Sequence, residues 1–253
     1  MVSDNGEQSL MAHLLEMRKR LLYAVATVVV IFVVLLPFAN QLYSWFAQPL
    51  LRTLPKGGQL VAIEVASTFF VPMKLAFFAA LFIATPVVLY QIWAFVAPAL
   101  YQKEKNLAKP LLVAATLLFY LGCAFTFYVL LPVMFAYLNS TAPIGVAMMT
   151  DISKYLDFVL VLLLAGGVSF EVPIAVLVAV LLGWVTVPQL VEWRGYIIVA
   201  IFIIAAIITP PDGLSQIMLA LPMWALYEIG IVVARIMVKS RAKLDAVNTN
   251  LAD

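Results

Sequence analysis

The sequence predicts an all-α integral membrane protein. Six transmembrane helices should form a bent, concave bundle, with both termini cytoplasmic and with short fifth and sixth helices. Three observations predict this. Hydrophobic residues make up 65% of the chain and charged residues only 11%, where a soluble domain carries roughly a quarter charged. Six apolar stretches tile nearly the whole length: Leu21–Ala39, Phe69–Ala97, Pro110–Leu138, Phe158–Leu182, Tyr196–Ile208 and Ile217–Ala234. A spanning helix needs ~20 mostly apolar residues. Third, the basic residues cluster in alternate connections. Arg18, Lys19 and Arg20 precede the first stretch, Lys103, Lys105 and Lys109 follow the second, Arg194 follows the fourth, and Arg235, Lys239, Arg241 and Lys243 follow the sixth. The positive-inside bias puts those connections in the cytoplasm and makes the span count even.

The elements follow in order. Residues 1–20 read as a cytoplasmic N-terminus in which Ser9–Leu21 is amphipathic, with Leu10, Leu14, Met17 and Leu21 on its stripe. The first apolar stretch follows a basic patch but is too long for a signal-peptide core and has no clean cleavage site. It is therefore retained as a helix. In the loop after it, Leu42, Trp45, Phe46 and Leu50 fall at helical spacing, so Asn40–Leu51 is expected to lie at the interface with Trp45 at headgroup depth. The second, third, fourth and sixth stretches contain Pro86, Pro132, Pro173 and Pro222, each of which should bend its helix. Asp151–Phe158 repeats the interfacial pattern with Ile152, Tyr155 and Leu156.

The fifth stretch is thirteen residues, about 20 Å of helix against a core of roughly 30 Å. It stops at Thr209-Pro210-Pro211-Asp212-Gly213, so a short helical hairpin that thins the bilayer is expected. Residues 21–234 thus form the bundle, and 235–253 a cytoplasmic tail whose last dozen residues are polar and expected to be unstructured. The whole chain, 1–253, reads as one polytopic domain.

Most chemistry is excluded. One histidine, His13, and one cysteine, Cys123, leave no material for a Ser-His or Cys-His hydrolase. There is no Walker loop, dinucleotide fingerprint or zinc-binding histidine pair, and no basic-aromatic surface for nucleic acid. No enzyme activity, cofactor or metal is expected, and any energy must come from outside the chain, such as an ion gradient. His13 reads as a solvated residue and Cys123 as a small apolar filler.

What remains is a sparse set of carboxylates. Glu171 is the one charge between Phe158 and Val191, in Gly166-Gly167-Val168-Ser169-Phe170-Glu171-Val172-Pro173. A carboxylate at that depth costs roughly 2.5–3.5 kcal/mol, so it should face protein or water. It suits interhelical glue, a functional polar spot, or the titrating group of a proton-coupled secondary transporter. Against the transporter, the halves show no inverted repeat and the fifth span is short. Glu16, in His13-Leu14-Leu15-Glu16-Met17-Arg18-Lys19-Arg20-Leu21, reads equally as an i,i+4 partner of Arg20. Glu104, in Tyr101-Gln102-Lys103-Glu104-Lys105, reads equally as a charge in a solvated loop.

These motifs, with Ala66-Ser67-Thr68-Phe69-Phe70, Tyr90-Gln91-Ile92-Trp93-Ala94-Phe95-Val96-Ala97-Pro98-Ala99-Leu100-Tyr101, Ser169-Phe170-Glu171-Val172-Pro173 and Thr209-Pro210-Pro211-Asp212, carry a likeness that extends over nearly the whole chain. Together they resemble the TatC family, the multispanning receptor of the twin-arginine protein translocase. Met17 departs from the leucine more usual there.

The resemblance implies a protein of the bacterial inner membrane, exporting folded cargo with the proton gradient. It would bind twin-arginine signal peptides through Glu16 and Glu104, with Arg18 and Arg20 in the same site. A planar guanidinium suits bidentate pairing with a carboxylate, so lysine should substitute poorly. The resemblance also implies single-span TatA/TatB-type subunits and self-association as partners, besides the lipid bilayer. It assigns Glu171, Gln216 and Asp212 to an intramembrane polar and partner-contact surface.

Overall fold

A computed structural model describes residues 4–53, 60–96, 105–141, 150–209 and 212–250. The order is α1 (Asp4–Leu35), a 3-10 turn (Leu36–Phe38), α2 (Ala39–Thr53), β1 (Leu60–Val61), α3 (Ser67–Val96) and α4 (Lys105–Phe125). A π-helical turn (Thr126–Leu130), α5 (Leu131–Ser140), β2 (Thr150–Asp151), α6 (Ile152–Ser169) and α7 (Val172–Leu181) follow. Then come α8 (Val187–Glu192), α9 (Arg194–Ile208) and α10 (Gly213–Asn250). Among the described residues, five segments are long and apolar enough to span: Leu14–Phe46, Ser67–Phe95, Lys109–Leu138, Ile152–Leu181 and Gly213–Ser240, with Arg194–Ile208 as a shorter apolar helix.

Several boundaries differ from expectation. The amphipathic start and the first span form one helix, α1, because nothing between Glu7 and Leu35 breaks it. Pro37 ends it, having no N–H for the next helical bond. In the Asp151–Phe158 segment Asp151 ends β2, and Ile152–Phe158 is not a separate interfacial helix but the first turns of α6. The sixth apolar stretch is the first part of a 38-residue helix. After Gly230 that helix meets no glycine or proline, so it runs through the tail, where an unstructured end was expected, to Asn250. A two-residue parallel ladder pairs Leu60 with Thr150 and Val61 with Asp151; two residues per strand carry no periodicity to read.

The prolines act in different ways. Pro86 and Pro222 sit inside continuous helices. Pro132 follows the π turn, where the Leu131 N–H reaches back to the Thr126 carbonyl. The extra residue gives room at a site where the proline ring would crowd the Tyr128 carbonyl. Pro173 goes further and interrupts the fourth span. There, α6 ends at Ser169, the Glu171 N–H turns back to the Val168 carbonyl at 3.0 Å, and α7 begins with Pro173 in its first turn.

The chain divides into two compact units. One comprises Met1–Thr116 and Phe135–Leu160, the other Leu117–Met134 and Val161–Asp253. In the first, α1 lies along α3. The buried residues there are small, Ala24 and Val28 on α1 and Ala76, Ala80 and Ala84 on α3, so the backbones approach closely. Phe32 meets Phe77 edge-on at 5.7 Å between centroids. A second cluster joins Val71 and Leu75 to Leu156 and Leu160, covered by Leu42, Tyr43, Phe46 and Ile152. The stripe predicted on α2 therefore divides: Leu42 and Phe46 pack inward, while Trp45 stays 74% exposed.

In the second unit the approach of α4 and α6 is glycine-mediated. A Cβ on Gly122 would lie 2.6 Å from the Gly166 carbonyl, one on Gly166 1.9 Å from Thr126 Oγ1, and one on Gly167 2.7 Å from the Phe119 ring. Cys123, expected as a filler, donates from Sγ to the Leu163 carbonyl at 3.7 Å within this contact. Likewise a Cβ on Gly230 of α10 would lie 3.0 Å from Pro173 Cα of α7.

After α7 the chain reverses at Gly183, whose φ of +72° only glycine adopts freely. Its N–H bonds Val180 O and the Trp184 N–H bonds Ala179 O, both at 3.0 Å, a Schellman closure. Thr186 and Gln189 then cap α8 reciprocally.

Candidate functional site

The basic entrance of α1 carries the first set of expected site residues. Glu16 and Arg20 lie one turn apart on the same face. Arg20 Nε donates to Glu16 Oε1 at 3.0 Å and Nη2 to the same oxygen at 2.5 Å. The two side chains keep 40% and 25% of their exposure, so an approaching cation can reach the carboxylate from solvent. Arg18 is exposed and turned away from this pair, sharing an open hollow with Leu15, Lys19, Leu22 and Tyr23. The structure thus joins Glu16 to Arg20 and separates both from Arg18. Glu104 lies outside the described residues, as does the loop around it.

The second set divides in space. Glu171 sits at the break between α6 and α7, half-buried, with Oε1 enclosed and without a hydrogen-bond partner. Its neighbours at the break are self-satisfied: Ser169 Oγ donates to the Ala165 carbonyl at 2.5 Å. Asp212 and Gln216 are instead at the turn from α9 to α10. Asp212 Oδ1 accepts the Ser215 N–H at 2.7 Å, capping α10, while Oδ2 is buried without a partner. Gln216 Nε2 donates to the Phe202 carbonyl at 2.9 Å and ties the two helices of the hairpin. Thr209 ends α9 by donating from Oγ1 to Ala205 O at 2.9 Å, and it is extended, as a residue before proline must be.

At the other end of that hairpin, Arg194 Nη2 donates to Glu228 Oε2 at 2.6 Å. Tyr227 Oη donates to the Leu190 carbonyl at 2.7 Å, fixing α8 against α10. Glu228 lies twelve residues beyond Gln216, so the two polar ties are about 18 Å apart along α10. Between them the hairpin carries no charged residue, and Ile198, Ile201, Ile217, Leu221 and Trp224 line a shallow groove. Among the described residues no three His, Cys, Asp or Glu side chains gather closely enough to hold a metal ion.

The family model for the Sec-independent protein translocase protein TatC matches residues 12–222. The chain belongs to the TatC family. Its similarity to the TatC of Haemophilus influenzae is 51% identity over 228 residues, covering 90% of this chain and 89% of that protein. With TatC of Escherichia coli K12 it is 47% identity over 234 residues, covering 92% and 91%. With TatC of Halothiobacillus neapolitanus it is 46% over 256 residues, all of this chain and 70% of that one. Among solved structures, a crystal structure of the twin arginine translocase receptor TatC superposes with a TM-score of 0.81 at 34% identity, covering 88% of this chain and 98% of that one. A second, in the detergent DDM, gives the same score. With its apolar helices, this TatC-family chain is a multi-pass protein of the bacterial inner membrane and a component of a protein translocase.

Two polar ties in this TatC-family chain escaped the sequence reading. Glu228 stands inside the sixth apolar stretch, and the depth argument applied to Glu171 applies to it equally. Lys74, near the start of α3, donates from Nζ to Asp157 Oδ1 of α6 at 2.6 Å. Lys74 and Asp157 each lie near the N-terminal end of their helices, where a charge reads as a loop residue until its partner is seen.

Proposed function

We propose that this chain is the receptor subunit of a twin-arginine translocase. It binds the paired arginines of folded cargo's signal peptides at its cytoplasmic face and scaffolds single-span TatA/TatB-type subunits for proton-gradient-driven export. It acts without enzymatic chemistry or cofactor, as one polytopic domain with both termini in the cytoplasm, and self-associates. The observation that carries this reading is the likeness to the solved twin arginine translocase receptor over 88% of the chain.

Glu16 and Glu104 are the anionic partners of the two arginines. At Glu16 an incoming guanidinium exchanges with that of Arg20, a like-for-like replacement that leaves no carboxylate unpaired. An exposed i,i+4 pair contributes only about 0.2–0.5 kcal/mol, so the exchange costs little. Glu171, Asp212 and Gln216 serve the intramembrane steps and partner contacts. Enclosed carboxylate oxygens without partners, at Glu171 and Asp212, suit a donor arriving from another chain.

The test is photocrosslinking from position 104 to a twin-arginine peptide in membranes, together with peptide affinities. Glu104→Ala should abolish binding with the protein still folded, and Glu104→Asp should be milder. A peptide with both arginines replaced by lysine should bind poorly. Unchanged affinity in both the Glu16→Ala and Glu104→Ala variants refutes the assignment.

A further inference from the structure

We propose that the outer face of α1 at its basic collar is a binding site for an anionic phospholipid, whose phosphodiester is held by Arg18 and Lys19 and one of whose acyl chains lies along the helix below. Arg18, Lys19, Leu15, Leu22 and Tyr23 line an open hollow of ≈ 410 Å³ there. Its polar half is cationic. Among the described residues neither Arg18 nor Lys19 joins an ion pair, whereas Arg20 is neutralised by Glu16. Lys19 Nζ stands over the Tyr23 ring, 6.0 Å from its centroid, which restrains the ammonium beside an aromatic of the kind that settles at headgroup depth.

The apolar half continues away from the collar. Leu22, Val25, Val29 and Val33 are each about half exposed and follow one another at spacings of three and four, so they form one stripe. From Leu22 to Val33 the stripe is about 16 Å long, the thickness of one hydrocarbon leaflet. Cations at one end and a leaflet's length of open apolar surface below them fit a lipid phosphodiester with its chain. Free phosphate would use only the cationic end.

The site has a consequence that rests on the receptor reading. A bound anionic headgroup cancels positive charge two residues from Glu16, where an incoming pair of arginines would otherwise be repelled.

The experiment needs no signal peptide, so it stands or falls apart from that reading. The full chain in mild detergent is titrated with phosphatidylglycerol or phosphatidylcholine, and retained lipid is counted by native mass spectrometry. Phosphatidylglycerol should be retained preferentially. Each basic residue near an anionic headgroup contributes roughly fivefold, so the Arg18→Gln, Lys19→Gln double variant should weaken retention roughly 25-fold. Arg18→Lys with Lys19→Arg keeps the charges and should keep the lipid, which separates loss of the site from loss of folding. Arg235→Gln with Lys239→Gln, at the far end of the chain, should retain it too. Equal retention of the two lipids overturns the proposal, as does retention unchanged in the double variant. Displacement by millimolar inorganic phosphate also overturns it, because it assigns the cations to a free anion.

Discussion

Adding one methyl group at Gly166 tests whether the glycines of the fourth span serve close packing. The new Cβ would lie 1.9 Å from Thr126 Oγ1, 3.0 Å from Thr126 Cβ and 3.2 Å from the Gly122 carbonyl. The first overlap exceeds 1 Å. Rotating the threonine hydroxyl leaves the other two contacts tight, so the helices must move apart. Overpacking of this kind costs about 1–3 kcal/mol, and alanine's better helix propensity returns roughly 0.5–1. Gly166→Ala should therefore destabilise by about 1–2 kcal/mol.

The structure also predicts how to undo the damage. Thr126 Oγ1 is buried without a partner, so Thr126→Ala alone should be close to neutral, and combined with Gly166→Ala it should recover much of the loss. Gly122→Ala should behave differently. Its Cβ meets the Gly166 carbonyl at 2.6 Å, which no side-chain rotation relieves, so Thr126→Ala should not rescue it. Thermal unfolding of the three single variants and the two double variants in detergent measures this. If Gly166→Ala melts at or above the parent temperature, or if Thr126→Ala rescues Gly122→Ala as well, the close-approach argument is wrong.

Glu171→Ala and Glu171→Gln should both insert, fold and bind signal peptide, with transport impaired; a lower melting temperature for alanine that glutamine restores would instead mark a packing role. Removing Arg194 alone should lower the melting temperature more than replacing both Arg194 and Glu228 by apolar residues, since the single change leaves the largely enclosed Glu228 carboxylate unpaired; equal losses in the two variants would refute this. For Lys74 and Asp157, exchanging the two residues should restore most of the stability lost in Asp157→Asn, and no recovery would refute the pair as an independent tie. Reporter fusions after Ala142 and after Gly183 should lie on opposite sides of the membrane; the same side for both would overturn the proposed topology.

Much of the fold was legible because its signals are local. Twenty apolar residues in a row have one solution in a bilayer, where only a helix satisfies its own backbone. The short α9 and its stop at Thr209 were readable because proline fixes both itself and the residue before it. Element boundaries were less legible wherever polarity changed without a breaker. Composition changes at Ser9–Leu21, within Ile152–Phe158 and after Arg241, yet a helix continues through all three, because only glycine, proline or a cap ends one.

The candidate site divides along the same line. Glu16 beside Arg20 follows from helical spacing, and Glu171 from its isolation in apolar sequence. By themselves, then, the residues determined a polytopic helical membrane protein, its short fifth helix, and a few carboxylates too costly to be idle. Only the tertiary structure decided what those carboxylates touch. It paired Glu228 with Arg194 and Asp157 with Lys74 across 34 and 83 residues, made Asp212 a helix cap, left a Glu171 oxygen unpartnered, and turned three glycines into a helix contact. Helix formation is decided within a few residues along the chain, whereas an ion pair or close approach depends on which faces of distant helices meet. Hydropathy carries no record of that.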